Sequence, residues 1–343
     1  MKPLSPANIW RRAASALAVA GLVPTVASAA AQYRIEPVPA GDDVVPISAS
    51  GVNRKGEVVG QALVKKGKAV AGYAYRGGVT IQVGLPGDEA VSINRRADVA
   101  GDAAANAAWW SKTGVLHNLG TKMSCQGSSH AVGMNDDRLL AGWTSCWGGD
   151  AHAFVAQGGV VTDLPTLGGV GANARDVNNA GQVIGIAATD KNGQFGPHLH
   201  AFRWEGGVIT DLGTLGGDES DATAIADNGH VIGHAQDASG NWLPYLHDGT
   251  QMMPLAPCRV DQYTTPRDIN SKDQIVGIFG NGRKNEVFLM QRQRCHRLSD
   301  LLDASGADWE LDMVDGINDA GQIVGSGQYQ GKTRVYIATP LAP

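Results

Sequence analysis

The chain lacks most of the short motifs that announce chemistry. Its 343 residues contain no Cys-x-x-Cys pair, no His-Glu-x-x-His and no glycine-rich phosphate loop. That removes the motif-defined zinc and nucleotide sites. No serine sits in a Gly-x-Ser-x-Gly elbow, the strained turn that exposes a hydrolase nucleophile. Basic residues are sparse and scattered. The longest basic stretch is Arg283-Lys284 followed by Arg292, Arg294 and Arg297, and Glu286 lies within it. Helical periodicity is absent, and no linker or change of composition divides the chain.

The N-terminus stands apart. Lys2, Arg11 and Arg12 give it a positive start, Ala13 to Val23 is apolar apart from Ser15 and Gly21, and Ala27-Ser28-Ala29 offers small residues for cleavage. This is the pattern of a secretory signal peptide, expected over residues 1–31. The apolar run is too short to span a bilayer, which takes about 20 residues. The twin arginine is followed by Ala-Ala-Ser rather than a strongly apolar continuation, which favours Sec-type export. No later segment is apolar enough for a membrane span. Without the three basic residues of this leader, 25 basic residues face 33 acidic ones, a net charge of −8. Such a chain repels phosphate backbones unless it carries a local basic patch, so no nucleic-acid partner is expected. The destination is the periplasm or the extracellular space.

What the chain has is repetition. A phrase of the form apolar-Asn-x-x-Gly-Gln-Val-Val-Gly recurs seven times, first as Val52-Asn53-Arg54-Lys55-Gly56-Glu57-Val58-Val59-Gly60. It returns at Ile93-Asn94, Met134-Asn135, Val177-Asn178, Ile225-Ala226, Ile269-Asn270 and Ile317-Asn318. Its closing glycines, Gly60, Gly101, Gly142, Gly185, Gly233, Gly277 and Gly325, are spaced by 41, 41, 43, 48, 44 and 48 residues. A period of roughly 40–50 residues marks a propeller or a related array. It overrides the length-based prior of about two domains.

Within the repeat, short β-rich segments alternate with turn residues. In 160–206 they read Val160–Leu164, Ala174–Asn178, Gln182–Ala187 and His200–Trp204, an antiparallel pattern. The Asn can bond its own backbone two residues on and start a turn. The following glycine (Gly56, Gly181, Gly229, Gly321) supplies a positive φ, with Ala97, Arg138 and Asp273 in its place elsewhere. The invariant Gly60-type position implies close approach of a neighbouring backbone or a side chain packed over it. Tyr73, Phe154, Phe202, Tyr245, Phe288 and Tyr336 form a column of core rings, with Ala108 as the exception. The expected fold is all-β, a single seven-bladed β-propeller of four-stranded antiparallel blades over 32–343. Its repeat units run about 33–78, 79–114, 115–159, 160–207, 208–249, 250–296 and 297–343. Neither end has the different composition of a solenoid cap, and closure would bring Tyr33–Val38 beside Arg334–Ala338.

Four cysteines in an exported chain suggest two disulfides. Cys125 and Cys146 fall in loops that emerge on one face of a single unit, which supports their pairing. Cys258 follows a first strand whereas Cys295 precedes one, so their ends should differ and the case for Cys258–Cys295 is weaker.

Ala151-His152-Ala153-Phe154 and His200-Ala201-Phe202 with Trp204 resemble the HAF repeat of bacterial extracellular repeat proteins. So do Thr162-Asp163-Leu164-Pro165-Thr166-Leu167-Gly168-Gly169 and Thr210-Asp211-Leu212-Gly213-Thr214-Leu215-Gly216-Gly217. The likeness covers almost all of the chain after the leader. It implies export and a repetitive β-fold, and it carries over no catalytic residue.

His198 and His200, with His230 and His234, could approach transition-metal geometry if their loops converged. Asp218 and Asp221, like Asp190-Lys191-Asn192-Gly193, offer oxygen ligands to calcium. The bland alternatives, repeat strand and ordinary turn, are preferred, and no metal or other cofactor is expected. Asp163 and Asp211 obey the repeat consensus, which makes them poor catalytic candidates. Departures from the repeat are better pointers. Trp109-Trp110 replaces the usual fourth-strand pattern, and Trp143 and Trp147 flank Cys146. Indoles on one rim could stack on sugars, cations or partner side chains. The alternative is that one of Trp109 and Trp110 fills the hole left by Ala108. The sequence thus points to an exported, monomeric, non-catalytic propeller binding a protein or glycan through loops on one face. The rival is a polysaccharide lyase or hydrolase with its site at the channel mouth, and the fold alone does not choose. Titratable residues converging in the channel with shifted pKa values would favour the enzyme.

Overall fold

The computed structural model describes residues 32–120, 127–146, 151–193, 196–259, 262–281 and 284–342. Seven four-stranded antiparallel sheets form a ring. From inner to outer strand the first six run Val45–Val52 to Val79–Val83, Glu89–Ile93 to Leu116–Asn118, Ser129–Met134 to Val160–Asp163, Gly168–Val177 to Val208–Asp211, Gly216–Ile225 to Met252–Pro254, and Tyr263–Ile269 to Arg294–Arg297. The seventh takes Trp309–Ile317, Ile323–Tyr329 and Lys332–Pro340 from the C-terminal end and Tyr33–Pro37 from the N-terminal end. Tyr33 pairs with Pro340 and Pro37 with Tyr336, so the ring is closed by the two ends of the chain, as expected. The chain is an all-β, seven-bladed β-propeller.

The sequence repeat and the blade are offset by one strand. Val160–Asp163, which opens a sequence repeat, pairs with Ala151–Gln157 before it, not with the strand that follows. The segment after it, Leu164 to Leu167, therefore carries the chain from the rim of one blade back to the axis in the next. Each repeat thus spans two blades, which ties neighbours covalently.

The repeated phrase is the innermost hairpin of each blade. In all seven inner strands the register slips by one residue beside the invariant glycine, a β-bulge. The bulged strand bends and drives a carbonyl oxygen toward that glycine. A Cβ there would lie 2.1 Å from the Ser48 oxygen at Gly60, 1.8 Å from Glu89 at Gly101 and 2.3 Å from His130 at Gly142. The other four positions give 2.0–2.2 Å. At Gly142, Gly277 and Gly325 the column ring (Phe154, Phe288, Tyr336) covers the same point. Both expected causes of the invariance are present.

The Asn does more than start its turn. Asn53 Oδ1 accepts from the Lys55 and Glu57 amides at 2.9 and 3.1 Å, while its Nδ2 donates to the Asn94 carbonyl of the next blade at 2.9 Å. Asn94, Asn135, Asn178, Asn270 and Asn318 donate in the same way at 2.8–3.3 Å, and Asn318 closes the circuit on the Asn53 carbonyl. Ala226 has no amide to give, so the belt is open at the junction of the fifth and sixth blades.

Seven apolar clusters fill the seven spaces between blades. Six column rings are fully buried. In the second blade Ala108 leaves space that Trp110, two residues on and on the same side of the strand, occupies in the cluster shared with the first blade.

Candidate functional site

Two regions concentrate chemistry. The first is the channel. The residue skipped by each bulge points to the axis, giving a lining of Ser50, Val91, Val132, Arg175, Thr223, Arg267 and Asp315 around a cavity of about 260 Å³. Deeper in, Asp176 and Asp268 hold matching positions in the fourth and sixth blades. Each carboxylate is doubly bound. Asp176 accepts from Val177 N at 2.7 Å and Ile225 N at 3.0 Å, and Asp268 accepts from Ile269 N at 2.8 Å and Ile317 N at 2.7 Å. The second bond in each case crosses to the next blade. Burial outweighs these donors and pushes Asp176 to about 6 and Asp268 to about 7, the charge of Asp176 adding to the latter. Asp315 rises to about 6 through burial, opposed by Arg267.

On the hairpin face the channel is capped. Arg54 reaches across the mouth to Asp227 and Asp319, the latter at 2.9 Å. Backbone amides of Arg95, Asp136, Asn179 and Ser271 each donate to the side chain at the equivalent position of the next blade at 2.7–2.9 Å. The remaining cavity at this mouth is about 170 Å³. The channel thus gathers titratable groups, but Asp176 and Asp268 are engaged in bracing inner strands.

The second region lies between the second and third blades on the hairpin side. A cleft of about 560 Å³ is lined by Trp109, Val115, His117, Leu119, Arg138 and Leu140, among others. Trp109 stacks on His117, its cross-strand partner, with centroids 3.8 Å apart and planes 5° from parallel. The Arg138 guanidinium carbon lies 4.9 Å from the indole centroid. With an imidazole against one face, the guanidinium has the other, so Trp109 is clamped. Arg138 also binds Asp98 at 2.8 Å. Asp98 is held below its usual range: burial opposes this, but the Arg138 and Lys112 N–H donors prevail. Arg138 occupies the hairpin position that four repeats give to glycine, and its φ of 62° is left-handed. Backbone strain of roughly 1–2 kcal/mol is accepted there, and such strain clusters at functional positions.

Of the four indoles named from sequence, the three that are described point to different places. Trp109 lines the cleft, and Trp110 is only 4% exposed in the core. Trp143 lies beyond the invariant glycine on the third blade and rests against His130, centroids 4.6 Å apart. Trp147 lies outside the described residues. His200 turns Nδ1 to both Asp211 oxygens at 3.0 and 2.8 Å. Asp221 accepts from the His234 amide at 3.0 Å. His198 and Asp218 lie on strands of the fourth and fifth blades, and the side chains of 190–193 lie outside the described part. Among the described residues no three His, Cys, Asp or Glu side chains converge as metal ligands.

Cys258 and Cys295 are joined, with Cα atoms 5.3 Å apart. Cys295 does not precede its strand but lies within it, opposite Met290. The loop of Cys258 passes between blades, and both cysteines lie half-buried against the cluster shared by the fifth and sixth blades. Cys146 is disulfide-bonded, and Cys125 lies outside the described residues.

No family model matches the chain, and no curated protein matches its sequence. Among solved structures it is similar to the β-propeller domain of the Trilobed protease from Pyrococcus furiosus, with a TM-score of 0.58 at 10% identity over 89% of this chain and 97% of that one. That domain is described as having an open velcro topology; here Tyr33–Pro37 closes the ring. It is also similar to a prolyl endopeptidase, TM-score 0.50 at 9% identity over 91% of this chain and 51% of that one. A putative TolB from Agrobacterium tumefaciens gives 0.44 at 12% identity over 72% and 87%. At these identities the shared property is the fold, a β-propeller.

Proposed function

We propose that this is an exported, partner-binding β-propeller whose cleft between the second and third blades takes an apolar segment of a protein. The cleft itself carries the reading. It has an apolar floor of Leu119, Leu140 and Ala156 and a clamped aromatic wall, and Val115 at its lip is 55% exposed. Rigid aromatic walls with apolar floors are the anchor pockets of protein interfaces. A glycan is less suited, because both indole faces are already occupied. The channel reading is less supported too, since Arg54 closes one mouth and Asp176 and Asp268 are engaged by backbone amides. Export rests on the leader-like N-terminus and the disulfides.

Envelope proteins and matrix polysaccharides should be screened for binding to the full chain, with a product assay alongside. Val115→Asp should weaken protein binding at least about tenfold, while Val208→Asp at the corresponding edge of the fourth blade should not. Turnover of a glycan, or a protein ligand indifferent to Val115→Asp, would sink the reading.

A further inference from the structure

On the opposite face of the ring, between the same two blades, Asp102, His130 and Ser128 form a relay. His130 Nδ1 lies 2.6 Å from Asp102 Oδ2, and His130 Nε2 lies 3.3 Å from Ser128 Oγ. Asp102 Oδ1 accepts the Ala131 amide at 2.9 Å, which fixes the carboxylate. The Trp143 ring, 4.6 Å from the imidazole, limits its rotation. The Asp102 side chain is 12% exposed and that of His130 34% exposed, so the anchor is shielded and the base is within reach of solvent.

The proton positions follow from donor chemistry. An ionised carboxylate only accepts, so Nδ1 carries the proton and donates to Asp102. The neutral ring then has its lone pair at Nε2, and the Ser128 hydroxyl must be the donor to it. Ser145 Oγ, 2.9 Å from Ser128 Oγ, can donate to the same oxygen as negative charge develops. A hydroxyl bound to an imidazole that is itself oriented by a third group is the arrangement of an activated serine.

The repeat shows that this is particular to one junction. The inner-strand position of His130 holds Ser48, Glu89, Asn173, Asp221, Thr265 and Met313 in the other blades, and the position after the invariant glycine holds Gln61, Trp143, Ile186, His234, Ile278 and Ser326 where the second blade has Asp102. Only here does an imidazole meet a carboxylate from the preceding blade across these columns. In the fifth blade His234 turns its Nε2 to the Thr264 carbonyl instead, an acceptor that cannot serve as a nucleophile.

We propose that Ser128 is a reactive nucleophile that cleaves carboxylic esters, with His130 as general base and Asp102 as a positioning residue. Ser128 Oγ bonds to the ester carbonyl carbon as its proton passes to His130 Nε2. The ester C–O bond then breaks, and the leaving alcohol takes that proton. Water attacks the acyl-serine, His130 again accepting and returning a proton, which releases the carboxylic acid and restores the hydroxyl. Only the ester and water are consumed.

The test uses the full chain with a fluorophosphonate probe and p-nitrophenyl acetate. The probe should form one adduct, at Ser128 by peptide mass spectrometry. Labelling should vanish in Ser128→Ala and slow at least about a hundredfold in His130→Ala, while Ser239→Ala in a turn of the fifth blade labels normally. Asp102→Asn should donate to Nδ1, force the proton onto Nε2 and slow labelling by roughly 10²–10⁴. Asp102→Glu should recover part of the rate. An unlabelled wild-type protein, an adduct at another residue, or labelling indifferent to His130→Ala would overturn the proposal. Because mapping the wild-type adduct needs no variant, poor folding of a mutant cannot obscure the answer. The cleft lies at the other end of the blades, so failure here leaves the binding reading untouched, and the reverse also holds.

Discussion

At Gly101 the room for a side chain ends 1.8 Å from the Glu89 carbonyl oxygen. That oxygen belongs to a bulged strand packed in the ring and cannot step aside. Gly101→Ala should therefore cost about 3 kcal/mol or more, since overpacking against fixed backbone exceeds the usual cost of one added methyl; urea denaturation would measure it, and a loss under about 1 kcal/mol would contradict the contact. Asp268 makes a second prediction at this scale. Its carboxyl is raised from an ordinary 3.8 to about 7, first by burial and then by the Asp176 charge. Between pH ~4 and ~7 the folded chain thus holds a proton that the unfolded chain releases, so this group's stabilising contribution is lost as pH rises through that window. The charges acting on it are Asp176 on the inner strand of the fourth blade and Asp319 in the hairpin of the seventh. Asp268→Asn keeps the neutral form at every pH. The stability of wild type relative to this variant should fall from about pH 4 to about pH 7, and a difference that stays flat would remove Asp268 as the cause.

At the scale of the element, the hairpin is both a turn and a coupling between blades. The sequence shows the Asn, and local chemistry explains its turn through the Oδ1 bonds to amides two and four residues on. Its Nδ2 bond to the next blade could not be read, because the acceptor lies 41–48 residues away in five of the six cases and 265 away at the closure. The gap in the belt offers a direct check. Ala226→Asn should add a donor to the Asn270 carbonyl and stabilise the ring by about 0.5–1.5 kcal/mol, and Asn178→Ala should lose a similar amount. Thermal or chemical denaturation of both variants reads the pair. No gain from Ala226→Asn and no loss from Asn178→Ala would mean that the belt follows from packing rather than supporting it.

Over the whole molecule, stability depends on closure. Tyr33 and Ile35 are each 2% exposed and pack against the sixth blade as well as pairing in the seventh. A chain beginning at Val38 loses these side chains, each worth roughly 1.5–3 kcal/mol, and leaves Lys332–Pro340 as an open edge that invites association. It should unfold at least about 4 kcal/mol more easily and bind a hydrophobic dye, with dye fluorescence and denaturation as readouts. An unchanged unfolding midpoint would show that the ring does not need this strand.

The number of blades, the all-β class, the invariant glycines, the column of rings and the strand that closes the circle are all legible in the residues alone. Each depends on residues close in the chain or on one feature repeated seven times, which a single sequence displays. The offset between repeat and blade, the Cys258–Cys295 bond, the burial of Trp110, the clamp on Trp109 and the Asp102–His130–Ser128 relay arise only in the folded ring. Those depend on which residues of separate blades meet across a radial gap. Asp98 and Arg138 are 40 residues apart, and Asp102 and His130 are 28. A repeat period gives the spacing of such residues along the chain, whereas bulges, rotamers and the twist of each sheet set the few ångströms that bring them into contact.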